Sequence, residues 1–165
     1  KHFKSKEEII EEVLRVRFLE EKESDFKRIM DETEGTLLER LSLAYQSFFN
    51  GMTATSMKLF QRASYDGMEI AKRYSPHLDE RILWPVLEHL RAEAGMPELK
   101  LLKPSTAERE LALMLHSTIV FIGIRKFVYQ IDFHGHETDL IRQHVRIWLD
   151  GALANLKEFH DLELP

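Results

Sequence analysis

The feature that most constrains this chain is a short signature that occurs three times. A Ser or Thr is followed three residues later by a Glu, and an apolar stretch begins there. The copies are Ser5-Lys6-Glu7-Glu8, Thr36-Leu37-Leu38-Glu39 and Ser105-Thr106-Ala107-Glu108. In each, the hydroxyl can accept from a free N–H of a first helical turn while the Glu reaches back to the N–H at the helix start. Apolar residues then recur at helical spacing: Ile9, Ile10, Val13, Leu14 and Phe18 after the first copy, and Leu37, Leu38, Leu41, Tyr45, Phe48 and Phe49 after the second. Only 7 Gly and 5 Pro interrupt these runs in 165 residues, and no segment alternates with a period of two. The pattern predicts an all-α fold, a bundle of about six helices in one domain.

The expected elements are a long helix over 6–31, a second from Thr36 to Asn50-Gly51, and a less regular one near 54–72, which contains Gly67. Ser75-Pro76 reads as a helix start, with Ser as N-cap and Pro in the first turn, where its missing N–H does no harm. That helix is expected to run to Gly95 with a kink at Pro85. Residues 96–104 read as a loop. Two long helices follow, over 105–130 and 137–160, joined by a turn at Phe133-His134-Gly135-His136. From Leu111 to Ile124 the first of them is apolar on nearly all sides, as in a helix buried on more than one face. That run includes His116, Ser117 and Thr118 and is too short and too polar to span a membrane.

The net charge of -5 argues against a general nucleic-acid binder, since phosphate neutralisation needs clustered Lys and Arg. The absence of Cys excludes disulfides and thiolate chemistry. The chain nevertheless opens on a basic cluster: Lys1, His2, Lys4 and Lys6, without an acid among the first six residues, next to a helix N-terminus. Free N–H groups and the positive dipole end favour a phosphate there, although a basic chain end is also a common solvated tail.

The segment His2, Phe3, Lys4, Ser5, Lys6, Glu7, Glu8, Ile9, Ile10 resembles, almost position by position, the junction in TetR-family transcriptional regulators where the recognition helix ends and the long connecting helix begins. The rest of the chain is similar in architecture: a long first helix, a middle bundle and two long apolar late helices. The resemblance implies that 1–5 are a remnant of a helix-turn-helix domain and that 6–165 form an effector-binding and dimerisation domain. It implies a cytoplasmic, ligand-responsive DNA-binding regulator, usually a repressor. Operator DNA would be bound through a domain preceding Lys1, with Lys1, His2, Lys4 and Lys6 on backbone phosphates.

The resemblance also places a homodimer contact on the last two helices, forming a four-helix bundle. The residues taken for it are Phe127, Val128, Ile141, Val145, Trp148, Leu149, Ala152 and Leu156, with Gly123, Gly151, Ala152 and Ala154 small enough for close approach. A pocket for a small, apolar effector is expected in the middle of the chain, lined by Phe48, Met52, Phe60, Trp84, Met114, Thr118, Phe121 and Arg125, although such residues equally build any helical core. Thr118 and Arg125 are the candidates to hold a ligand's polar end.

The rival readings are a helical metal-binding or enzymatic bundle and a dimerisation module without ligand. Eight His raise the first. No Glu-x-x-His pair, nucleophile elbow, phosphate loop or zinc-protease motif supports it, and His134-Gly135-His136-Glu137 reads as a turn. The expectation is therefore no catalysis, no cofactor, no metal and no membrane insertion.

Overall fold

A computed structural model describes residues 3–16, 23–65, 70–133 and 135–161. These residues are all-α: α1 (Lys6–Leu14), α2 (Glu23–Glu32), α3 (Leu37–Asn50), α4 (Ala54–Tyr65), α5 (Ile70–Leu78), a π-helical turn (Asp79–Leu83), α6 (Trp84–Glu93), α7 (Thr106–Phe127) and α8 (Glu137–Asp161). No helix among them is long and apolar enough to cross a membrane.

The capping signatures start three helices as expected, with one departure. Thr36 and Ser105 each accept from the N–H three residues on, and Glu39 and Glu108 each accept from the N–H of the capping residue. At α1 the Ser5 hydroxyl accepts from the Glu8 N–H, but the Glu8 carboxylate takes the N–H of Lys4 instead, at 2.7 Å. The middle of the helix expected over 6–31, residues 17–22, lies outside the described residues.

Ser75 does not start a helix. α5 begins at Ile70 and runs through Ser75 and Pro76. Proline removes one N–H from a helix, and packing of Leu78 and Ile82 into the core holds the chain in place. The Ser75 hydroxyl accepts from Arg109 on α7 instead, at 3.3 Å. The kink expected at Pro85 takes the form of the π-turn just before it. Pro85 has no N–H to offer the carbonyl one turn back. The helix widens there, and the Trp84 N–H donates to Asp79 O, five residues away. The turn leaves the Asp79 carboxylate 2.8 Å from the Arg109 guanidinium.

One large core joins α2, α3, the π-turn, α6, α7 and α8 around Leu41, Tyr45, Ile82, Leu87, Leu115, Ile119 and Val145. α7 and α8 lie against each other, and the Trp148 Nε1–H donates to Leu111 O at 2.9 Å. At one end of this core Arg91 is fully buried. Its guanidinium donates to both oxygens of Glu108 at 2.8 Å and to the carbonyls of Pro97 and Leu102, so a single side chain ties α6, the 96–104 loop and α7 together. His160 on α8 lies 2.7 Å from the same Glu108 carboxylate, and the Ser105 hydroxyl donates to Phe159 O. Burial alone would raise the Glu108 pKa. Hydrogen bonds from Arg91, His160 and the Ser105 N–H outweigh that and hold it below the usual carboxylate range.

Among the described residues, a second, smaller cluster joins α1 to α4. Leu14 and Ala63 are its buried members, with Ile10, Leu59 and Phe60 packed on them.

Candidate functional site: an apolar cavity between α3, α4, α5 and α7

α4 sits between α1 and α7. Its start is set by a paired hydroxyl cap: the Ser56 N–H donates to Thr53 Oγ1 and the Thr53 N–H donates to Ser56 Oγ, both at 3.1 Å. The helix that follows directs Met57 and Phe60 toward a cavity of about 520 Å³. Phe48 and Met52 line it from the end of α3 and the turn after it, Tyr74 and Leu78 from α5, and His116, Ser117, Val120, Phe121 and Ile124 from α7. This volume falls within the range of small-molecule sites, roughly 300–1,000 Å³.

Gly123 helps shape the cavity from behind. A Cβ there would collide with the Met52 sulfur, so the missing side chain is what lets Met52 seat against α7. Gly123 was expected to permit a close approach between subunits; in the structure it accommodates Met52.

The predicted pocket set divides. Phe48, Met52, Phe60 and Phe121 meet in the cavity. Met114 and Thr118 lie instead on a separate groove of about 360 Å³ between α7 and α8, with His144, Ile147, Trp148 and Asn155. The Thr118 hydroxyl donates to Met114 O of its own helix, at 2.9 Å. Trp84 packs against the large core, and Arg125 stacks on the Phe133 ring at 4.7 Å; neither lines the cavity. The α7 residues that line the cavity lie on a different face from the expected stripe. A helix that is apolar around its circumference carries no periodic signal for which face meets the ligand space. His116, Ser117, Val120 and Ile124 therefore carried no signal in the sequence as lining residues, and Tyr74 and Leu78 on α5 carried none either.

His116 is the unusual member of the wall. It is 3% exposed, and its Nδ1 is buried without a hydrogen-bond partner among the described residues. Its ring packs against Phe48, with centroids 5.0 Å apart, and lies 6.2 Å from the Tyr45 ring, whose hydroxyl is likewise buried and unpartnered. Burial pushes the His116 pKa down from 6.5 to about 4 and pushes the Tyr45 phenol up, so both are neutral at neutral pH. The described lining residues include no Lys, Arg, Asp or Glu.

The residues expected at the dimer contact mostly face inward. Ile141, Val145, Trp148, Leu149, Ala152 and Leu156 are buried in the chain's own core, and Phe127 and Val128 pack against it half-buried. The strongest apolar stripe of α8 is therefore the stripe that holds it to α3 and α7. The outward apolar groups of these helices are Met114, Phe121 and Ile147, which are 56%, 51% and 66% exposed.

Of the basic front, Lys1 and His2 lie outside the described residues, while Lys4 and Lys6 are solvent-exposed beside α1. The first-turn N–H of Glu8 is already taken by Ser5, and the Glu8 carboxylate lies at the same helix start. His134 also lies outside the described residues. No family model matches the chain, and no curated protein or solved structure matches it.

Proposed function

We propose that this chain is the effector-binding and dimerisation part of a ligand-responsive DNA-binding regulator of the TetR type, in which a small apolar molecule enters the cavity and repositions α1. The observation that carries this reading is the double role of Phe60. It lines the cavity and also packs on the Leu14–Ala63 cluster that holds α1 to α4. A ligand that displaces Phe60 acts directly on the seat of α1.

α1 is the helix that follows the basic front, so its tilt would set the position of a DNA-binding head relative to a second copy. Spacing between two heads matters because both must reach half-sites about one helical turn apart. The switch requires unequal ligand affinity for the two tilts. The second copy would meet the outward groups Met114, Phe121 and Ile147, with Gly151 and Ala154 exposed nearby.

The test combines thermal melts with hydrogen exchange on a panel of apolar small molecules. A binder present at a hundredfold excess over its Kd should raise Tm by roughly 5–10 °C. It should also change the exchange rates of the α1 amides more than those of α8. Stabilisation without any change at α1 removes the regulatory reading. Stabilisation by metals alone favours the metal-binding rival. A monomer in sedimentation at micromolar concentration removes the dimer.

A further inference from the structure

The cavity has a composition that selects the chemistry of its occupant, and this step rests on the reading of the cavity as a ligand site. We propose that it takes an uncharged, largely apolar small molecule carrying one hydroxyl-type hydrogen-bonding group, and that His116 is the residue that reads that group.

Three observations lead there. Among the described residues the wall is built from Phe, Met, Leu, Val and Ile, with polar groups at His116, Ser117 and Tyr74 and no charged side chain. A carboxylate or ammonium would lose its hydration with no counter-ion to replace it, which costs several kcal/mol per ion. Arg125, the side chain best placed in sequence to receive an acid, is engaged with Phe133 instead. Secondly, His116 carries a buried nitrogen without a partner, and an unsatisfied buried polar atom in a folded protein calls for an explanation. Thirdly, the Tyr45 ring lies 6.2 Å from the His116 ring, and its hydroxyl, in the core behind the wall, is buried and unpartnered too.

Neutral imidazole presents one N–H donor and one lone pair. A hydroxyl can donate or accept, so it satisfies either tautomer. A hydrocarbon of the same shape leaves the ring unsatisfied, and a carboxylate offers acceptors only and brings a charge. The expected order of affinity is therefore hydroxyl over hydrocarbon over carboxylate.

The experiment titrates the full 165-residue chain at neutral pH with three matched probes: para-butylphenol, butylbenzene and para-butylbenzoate. The phenol should bind roughly tenfold tighter than butylbenzene, the worth of about one hydrogen bond. The benzoate should be the weakest of the three. His116→Leu should remove the advantage of the phenol while leaving butylbenzene affinity in place. Because His116 is buried, a second readout is needed should that variant fold poorly: the nitrogen chemical shifts of the His116 ring in the native chain should move with the phenol and not with butylbenzene. Equal affinity for phenol and hydrocarbon, a preference for the benzoate, or ring nitrogens indifferent to the phenol would each overturn the assignment of His116 while leaving a ligand site intact. Failure of all three probes to bind would overturn the ligand site as well.

Discussion

The α6–α7–α8 end of the molecule and its α1–α4 end are held together by different means. At the first, helices share the large core, and a buried guanidinium closes the end by joining α6, the following loop, α7 and the Glu108 carboxylate. At the second, the described residues that hold α1 on α4 are two buried ones, Leu14 and Ala63, and three partly buried ones, of which Phe60 also lines the cavity. Regions with few buried apolar contacts open at low free energy, while a core opens only with global unfolding. On the proposed reading the contrast would separate stability from response: a ligand would have little to work against on the α1–α4 side, with the large core as the rigid wall behind it.

The largest expected effect lies at the rigid end. Arg91→Ala leaves the Glu108 carboxylate buried without its guanidinium and strips a donor from the carbonyls of Pro97 and Leu102. It should cost about 3–5 kcal/mol in chemical denaturation, the scale for breaking a buried pair from one side. A loss under about 1 kcal/mol would mean that this end is not where stability is concentrated.

The next effect is a pH dependence at the wall between the two regions. In the folded chain His116 takes up a proton only near pH 4, whereas in the unfolded chain it does so near 6.5. The stability it contributes is complete above about pH 6.5 and is lost as pH falls toward 4, on the order of 3 kcal/mol in total. Glu108, whose folded pKa is depressed, adds a second loss once pH falls below its unfolded value of about 4.5. The slope between pH 6.5 and 4.5 should therefore flatten in His116→Leu; an unchanged slope in the variant would clear His116 of this role.

Smaller still is the effect of loosening α1. Leu41→Ala in the large core should cost about 2–5 kcal/mol. Leu14→Ala, although Leu14 is buried just as fully, should cost less than about 2 kcal/mol, because α1 can come away without the rest unfolding. Hydrogen exchange should then show α1 amides losing protection while α3 and α7 keep theirs. Equal costs for the two substitutions would dissolve the contrast. The smallest pair compares caps: Thr36→Ala should cost about 1 kcal/mol, whereas Ser5→Ala should fray α1 and leave the global midpoint where it was.

The local signals in the sequence were sufficient for the fold class. Hydroxyl–Glu pairs mark the starts of α1, α3 and α7, and the long apolar run after Ser105 and the periodic one after Glu137 become the two longest helices among the described residues. These depend on contacts within one or two turns of chain, which a sequence carries explicitly. Ser75-Pro76 misled because its cap preference was weak beside the packing of the following residues, and the π-turn before Pro85 was invisible because it answers a missing N–H in three dimensions.

The site was less legible, and for a specific reason. Four of eight expected lining residues, Phe48, Met52, Phe60 and Phe121, do meet in the cavity, because large apolar side chains at the ends of α3 and along α4 had few other places to go. Which face of α7 they meet was decided only by how the helix is rotated against α3, α4 and α8, and a helix apolar all round leaves that rotation to tertiary packing. The same packing turned the apolar stripe of α8 inward and left Ile147 outside. Sequence alone thus determined where helices begin and that they must bury each other; the choice of buried face, and with it the placement of one neutral imidazole beside an apolar space, belongs to the assembled structure.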